Sequence, residues 1–255
     1  MTMIIPLDQE PASWLAGSGG DRIAYRRVAG NGPAILWLGG FLSDMQGAKI
    51  AAISARAQEE RWNFLCFDYF AHGESGGDFS QATVGRWFGN VLDVVDRLTS
   101  GPLVALGSSM GGHMLALLLK ARPGRVAAAG FVAPAADFVT ALMLPSLPPE
   151  ARRQLEVSGV FMLPGYDRPV PLSQAFFDDA ARHEVLGTPI AFDGPVRILH
   201  GMKDKVVPWR HGVRLLEGLT TPDVHMHLIK DGDHRLSRPQ DLDLLVEMVA
   251  ELRGA

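Results

Sequence analysis

The strongest constraint on this chain is a regular alternation of short, continuous apolar runs with stretches whose apolar residues recur every three or four positions. The runs lie at residues 34–38, 63–69, 103–107, 126–134, 196–200 and 224–229. Between and after them, residues 50–60, 83–98, 111–121, 213–219 and 240–252 carry the helical repeat. Its clearest stripe is Val84, Trp87, Phe88, Val91, Leu92, Val95 and Leu98. An amphipathic helix needs apolar residues at a period near 3.6, whereas a strand buried on both faces needs no alternation. This succession predicts an α/β fold: a mostly parallel sheet covered by helices on both faces. A further strand is expected earlier, at residues 21–28, set off by the turn Gly30-Asn31-Gly32-Pro33.

One stretch breaks the rhythm. Residues 135–194 are irregular and punctuated by Pro145, Pro148, Pro149, Pro164, Pro169, Pro171 and Pro189, with short helices expected at 150–157 and 172–183. So long an excursion in a compact domain is usually functional, commonly a lid over a site. We therefore divide the chain into a core, residues 1–134 and 195–255, and a lid or cap insertion, residues 135–194. The 255 residues suffice for one large domain, and no internal repeat suggests a solenoid.

Charge and composition narrow the function classes. A net charge of -4 argues against a general affinity for nucleic acid or anionic membranes. The longest apolar stretches, 114–119 and 126–134, are far too short to insert across a membrane. The first residues, Met1-Thr2-Met3-Ile4-Ile5-Pro6, carry neither a charged leader nor an Arg-rich transit pattern, which leads to the expectation of a cytoplasmic protein. A lone cysteine, Cys66, leaves no basis for an intrachain disulfide or a cysteine metal cluster, and no metal or organic cofactor is expected.

The chemistry centres on Gly107-Ser108-Ser109-Met110-Gly111, a Gly-x-Ser-x-Gly pattern between a buried strand and an apolar helix. A nucleophile on so sharp a turn has a strained backbone, so its flanking positions must be nearly free of side chains. In return its hydroxyl stands at a helix N-terminus, where developing negative charge is favoured. Ser109 is thus the candidate nucleophile, and its neighbour Ser108 points elsewhere. A serine needs a general base, and the base an orienting acid. Asp204 follows one late strand and His234 the last strand, and both sit at strand carboxyl ends, where open α/β sheets build their sites. Asp137, after the preceding strand, is a rival acid. His225 and His227 share one strand face, and His200 lies too near Asp204 in sequence. His183 falls in the lid and His113 on the helix after the nucleophile, so all five are read as structural. Met110 N–H and, from Gly39-Gly40-Phe41-Leu42, Phe41 N–H are the expected oxyanion donors, with Gly40 as the alternative to Phe41.

Four matches in order, Gly39-Gly40-Phe41, His72-Gly73-Glu74-Ser75, the serine pattern and the Asp204/His234 pair, resemble the α/β-hydrolase superfamily over nearly the whole chain. Many members carry His-Gly at the oxyanion turn, where this chain has Gly39 in place of the histidine. A narrower likeness lies in Gly40-Phe41-Leu42-Ser43-Asp44-Met45, Phe67-Asp68-Tyr69, Leu199-His200-Gly201-Met202-Lys203-Asp204, Val207-Pro208-Trp209 and Asp233-His234-Arg235. These look like the mitochondrial palmitoyl-protein thioesterases that also hydrolyse acyl glucuronides; without a transit pattern, this chain reads as a bacterial relative of them. The resemblance implies cleavage of esters or thioesters of hydrophobic acyl groups, with small acyl esters or an S-acylated protein as substrate. Trp87, Met143, Leu144, Phe161, Met162, Phe176 and Phe177 are candidates for an acyl groove or for a small core of the lid. Two other readings stay open: an aminopeptidase or amidase anchored by Glu150, Glu156, Asp178 or Asp179, and a non-catalytic binding protein of the same fold.

Overall fold

A computed structural model describes residues 6–164 and 169–254. Residues 1–5, read above for a leader, and residues 165–168 of the expected lid lie outside the described residues. The apolar runs become strands β3 (Asn31–Leu38), β4 (Trp62–Phe67), β5 (Leu103–Ser108), β6 (Val126–Val132), β9 (Val196–Gly201) and β10 (Val224–Ile229). Two strands precede them, the short β1 (Ser13–Ala16) and β2 (Arg22–Val28). Among the described residues these eight form one sheet in the order β1-β2-β4-β3-β5-β6-β9-β10. From β4 to β10 all neighbours run parallel, while β1–β2 and β2–β4 pair antiparallel.

Strand side chains alternate between two cores. In β3, Ala34, Leu36 and Leu38 face one side and Ile35 and Trp37 the other; in β5, Leu103 and Ala105 oppose Val104 and Leu106. Helices α2 (Val84–Leu98), α3 (Met110–Ala121) and α7 (Trp209–Gly218) bury their apolar stripes against the first side. Helices α1 (Ala48–Glu59) and α8 (Pro239–Gly254) cover the second. Burying both faces of the central strands removes on the order of 1.5–3 kcal/mol worth of exposed surface per large side chain, which is why those runs tolerate no polar alternation.

Between β6 and β9 the chain leaves the sheet. A π-helical turn at Phe138–Met143 leads through the single turn α4 (Leu144–Ser146) to α5 (Pro149–Ser158). Strands β7 (Val160–Leu163) and β8 (Val170–Ser173) then pair antiparallel apart from the main sheet, and α6 (Gln174–Ala181) follows. The single helix expected at 172–183 is thus a strand end plus a shorter helix. Leu172 and Ser173 pair with Phe161 and Val160 instead, and the Ser173 hydroxyl caps α6 by accepting the Phe176 N–H at 3.3 Å. At the neck of this excursion the Asp137 carboxylate accepts the N–H groups of Val185 at 2.7 Å and Leu186 at 3.0 Å, tying its end to its beginning.

Candidate active site

Ser109 is the joint between β5 and α3, with φ +53° and ψ -117°, a left-handed backbone that costs a non-glycine residue about 1–3 kcal/mol. The surroundings hold it there. Its N–H donates to Val132 O at 2.9 Å, and its carbonyl accepts the N–H groups of Gly112 at 2.9 Å and Ala135 at 3.0 Å. At Gly111 a Cβ would run into the Leu38 carbonyl, and at Gly107 into the Gly111 carbonyl, so the strand, the turn and the helix meet only because both positions are bare.

His234, in the loop after β10, presents Nε2 to Ser109 Oγ at 3.1 Å and Nδ1 to Asp204 Oδ2 at 2.7 Å. A carboxylate only accepts, so the proton sits on Nδ1 and the Nε2 lone pair faces the serine hydroxyl. Asp204 is held from its other oxygen, which accepts the N–H groups of Val206 and Val207, both at 2.8 Å. Burial opposes its ionisation, but hydrogen bonds from His200, His234 and the Val207 N–H outweigh it and keep the carboxyl well below the usual carboxylate range. The imidazole therefore faces a full negative charge.

Met110 is the first residue of α3, so its N–H has no carbonyl one turn earlier within the helix. Across from it, the β3–α1 loop turns at Gly40–Ser43, where the Ser43 N–H donates to the Gly40 carbonyl at 3.2 Å and Phe41 and Leu42 occupy the corner. A cavity of about 830 Å³ opens here, lined by Gly40, Phe41, Leu42, Ser109 and His234 and, further out, by Leu163, Pro164 and Val206.

Residues 33–171 match the family described as the alpha/beta hydrolase fold. Palmitoyl-protein thioesterase ABHD10, mitochondrial, from Mus musculus is 36% identical over 236 residues, spanning 90% of this chain and 78% of that protein. The chain belongs to the alpha/beta hydrolase family. The Homo sapiens protein of the same name is 34% identical, over 90% of this chain and 76% of its own length. Among solved structures, alpha/beta hydrolase domain-containing protein 10 from mouse superposes with a TM-score of 0.87 at 34% identity, covering 95% of this chain and 98% of that one. A structure from Agrobacterium vitis S4 gives 0.88 at 34% identity, covering 95% and 99%. Membership makes the chain an enzyme of the hydrolase class. These relatives also overturn the cytoplasmic expectation, which rested on the lack of a leader pattern: the mouse and human proteins are named as mitochondrial.

Within this hydrolase the rival residues have other partners. The Asp137 carboxylate is taken up by the two N–H groups at the neck, and its own N–H donates to His113 Nδ1 at 2.9 Å. His183 donates from Nδ1 to Asp179 O at 2.8 Å, while His225 and His227 stand exposed on the edge strand β10. His200 is the exception. Fully buried, its Nε2 lies 2.9 Å from Val207 O and 3.4 Å from Asp204 Oδ2, so it braces the acid rather than standing apart from it. A second residue carried no role in the sequence: His72, from the His-Gly-Glu-Ser match, accepts the Leu42 N–H on Nε2 at 3.1 Å. Of the two roles left open for the seven apolar candidates, a groove or a small core, three take the second. Trp87, Phe176 and Phe177 are buried in the core beneath the excursion, and among the described residues none of the seven lines the cavity.

Proposed function

We propose that this hydrolase cleaves esters or thioesters of hydrophobic acyl groups through an acyl-enzyme on Ser109. One observation carries the reading: Ser109 Oγ, His234 Nε2 and Nδ1, and Asp204 Oδ2 form an unbroken line of 3.1 Å and 2.7 Å contacts, and its serine and histidine open into a cavity that Phe41, Leu42, Leu163 and Val206 help to line. As Ser109 Oγ attacks the acyl carbonyl, His234 Nε2 takes its proton and Asp204 stabilises the imidazolium that forms. Negative charge moves onto the carbonyl oxygen, toward the N–H groups of Met110 and Phe41, each donor worth about 3–4 kcal/mol in the transition state. Collapse of that intermediate breaks the bond to the alcohol or thiol, which leaves with the proton from His234. Water then attacks the acyl-enzyme by the same route and frees the acid. The curated relatives are named palmitoyl-protein thioesterases, which favours a long acyl chain and a thioester, with an S-acylated protein or a small acyl thioester as substrate. Residues 135–194 serve in this reading as the cap, since Leu163 and Pro164 reach from it to the cavity wall.

The aminopeptidase reading needs an acidic anchor for a substrate amine. Glu150, Glu156, Asp178 and Asp179 are absent from the cavity lining among the described residues, whereas Lys49 and Arg235 stand in it beside Asp44. That balance disfavours a cationic substrate. The test is hydrolysis of p-nitrophenyl esters and acyl thioesters of graded chain length by the intact protein and by Ser109→Ala. Loss of turnover by several orders of magnitude in the variant, with a chain-length optimum in the parent, is the expected result. Turnover that survives the substitution refutes the assignment.

A further inference from the structure

We propose that His72 is a positioning residue for the oxyanion loop: as a neutral imidazole it props the corner Phe41-Leu42 in a backbone conformation that leucine would not hold alone, and so keeps the Phe41 N–H aimed at the reacting carbonyl. The inference rests on the acyl-enzyme reading above and deepens it.

The role follows from what His72 touches. Its Nδ1 lies 3.0 Å from Phe70 O and its Nε2 3.1 Å from Leu42 N. A carbonyl can only accept and a backbone N–H can only donate, so the proton is on Nδ1 and the lone pair on Nε2. The ring is buried inside a cage of edges from Phe41, Tyr69, Phe79 and Trp87, with centroids 5.2–6.4 Å away. The base it stands on is rigid. Phe70 O also accepts the Trp87 Nε1–H at 3.0 Å, and Phe70 N–H donates to Asn90 Oδ1 at 2.8 Å, so α2 fixes the loop after β4 from which His72 reaches out.

The other end of the contact is where support is needed. Leu42 has φ +56° at the third position of the Gly40–Ser43 turn, a place ordinarily taken by glycine or asparagine. Rotating the Phe41–Leu42 peptide would return Leu42 to negative φ and relieve the strain. It would also bring the Phe41 carbonyl toward the Nε2 lone pair, which accepts an N–H and repels a carbonyl oxygen. His72 therefore selects one of two turn forms next to the proposed donor. An oxyanion donor is effective only if it is already oriented before charge develops.

Four variants test this: His72→Phe, His72→Gln, His72→Asn, and His72→Phe combined with Leu42→Gly. Each is assayed for kcat and KM on a p-nitrophenyl ester and for affinity toward an alkyl boronic acid, which mimics the tetrahedral intermediate on a serine. His72→Phe keeps the packing and removes the acceptor, so kcat and boronate affinity fall together by about 10- to 100-fold, less than the loss of a whole donor, with KM little changed. Gln can carry an acceptor to the Nε2 position and recovers most of the loss, whereas the shorter Asn does not. With glycine at 42 the strained φ is free, so adding Leu42→Gly makes the His72→Phe loss smaller. Equal kcat and boronate affinity in folded His72→Phe and in the parent overturns the proposal. So does a His72→Gln as impaired as His72→Asn, which decides the matter even if His72→Phe does not fold. Ser109→Ala separates this from failure of the functional reading, because a parent whose turnover survives that change refutes the acyl-enzyme before His72 enters.

Discussion

At the scale of single residues, function depends on which atoms are left to accept and which to donate. Asp204 receives hydrogen bonds on both oxygens, from Val206, Val207 and His234, with His200 alongside. Asp204→Asn keeps the size but offers an amide where a carboxylate stood, so His234 loses both its counter-charge and its reason to carry the proton on Nδ1. We expect kcat on p-nitrophenyl esters to fall on the order of 10⁴-fold with the circular dichroism spectrum unchanged; a loss under tenfold would argue against Asp204 as the acid. Chain order in the sequence pointed to Ser109, Asp204 and His234, because each sits where a strand ends. The bracing role of His200 was hidden. The same closeness in sequence that disqualified it as the base is what lets it touch Asp204 across the short loop after β9. Its Nδ1, buried without a hydrogen-bond partner among the described residues, faces Gly212 of α7, which no sequence spacing announces.

At the scale of elements, the excursion from the sheet is tied at its neck as well as packed on the core along its length. Asp137 has φ +52° and gives both carboxylate oxygens to the Val185 and Leu186 N–H groups. Asp137→Ala leaves two donors without an acceptor and is expected to cost about 2–4 kcal/mol in urea unfolding, with Asp137→Asn, which retains one acceptor, losing less. If Asp137→Asn instead abolished ester hydrolysis at full stability, Asp137 would replace Asp204 as the acid. The strongly periodic elements were legible: the stripe of α2 and the runs of β4 to β6 stand within one or two residues of their expected positions, while β3 begins three residues early, at Asn31. Strand β1 was not, since four residues with Leu15 alone buried carry no pattern, and Trp14 is held at the surface by stacking under Arg22 at 3.5 Å. The β7–β8 pairing was missed because its halves are only four residues each, too short to show a period, and Pro171 sits in the second; each is a strand only by virtue of the other.

At the scale of the whole molecule, burying polar groups ties stability to pH. Burial pushes the His72 imidazole down to about 4 and that of His113 to about 3, the latter with help from His183, and lowers His211 as well. Below pH 6.5 the unfolded chain protonates these histidines while the folded chain refuses, so stability falls as the pH drops toward 4, by up to about 1.4 kcal/mol per pH unit for each. Burial raises the Asp68 carboxyl to about 6, despite the Glu74 N–H it accepts, and this opposes the trend between pH 6 and 3.8. Several histidines against one carboxyl leave a net loss. The urea midpoint should therefore drop clearly between pH 7 and pH 5, and a flat profile would show that these rings take protons in the folded state. None of the described helices is long and apolar enough to cross a membrane, in keeping with the short apolar runs of the sequence. The sequence alone determined the layered α/β core, because burial on one helix face writes a period into the chain and burial on both sheet faces writes an unbroken apolar run. It also singled out Ser109 as the proposed nucleophile, because a strained turn needs bare neighbours on either side. Only the tertiary structure decided which acid meets His234, what ties the neck, which side chains line the cavity and why Leu42 keeps its strained backbone. Those are contacts between residues tens of positions apart, and their energies depend on direction and distance in space, which local composition does not encode.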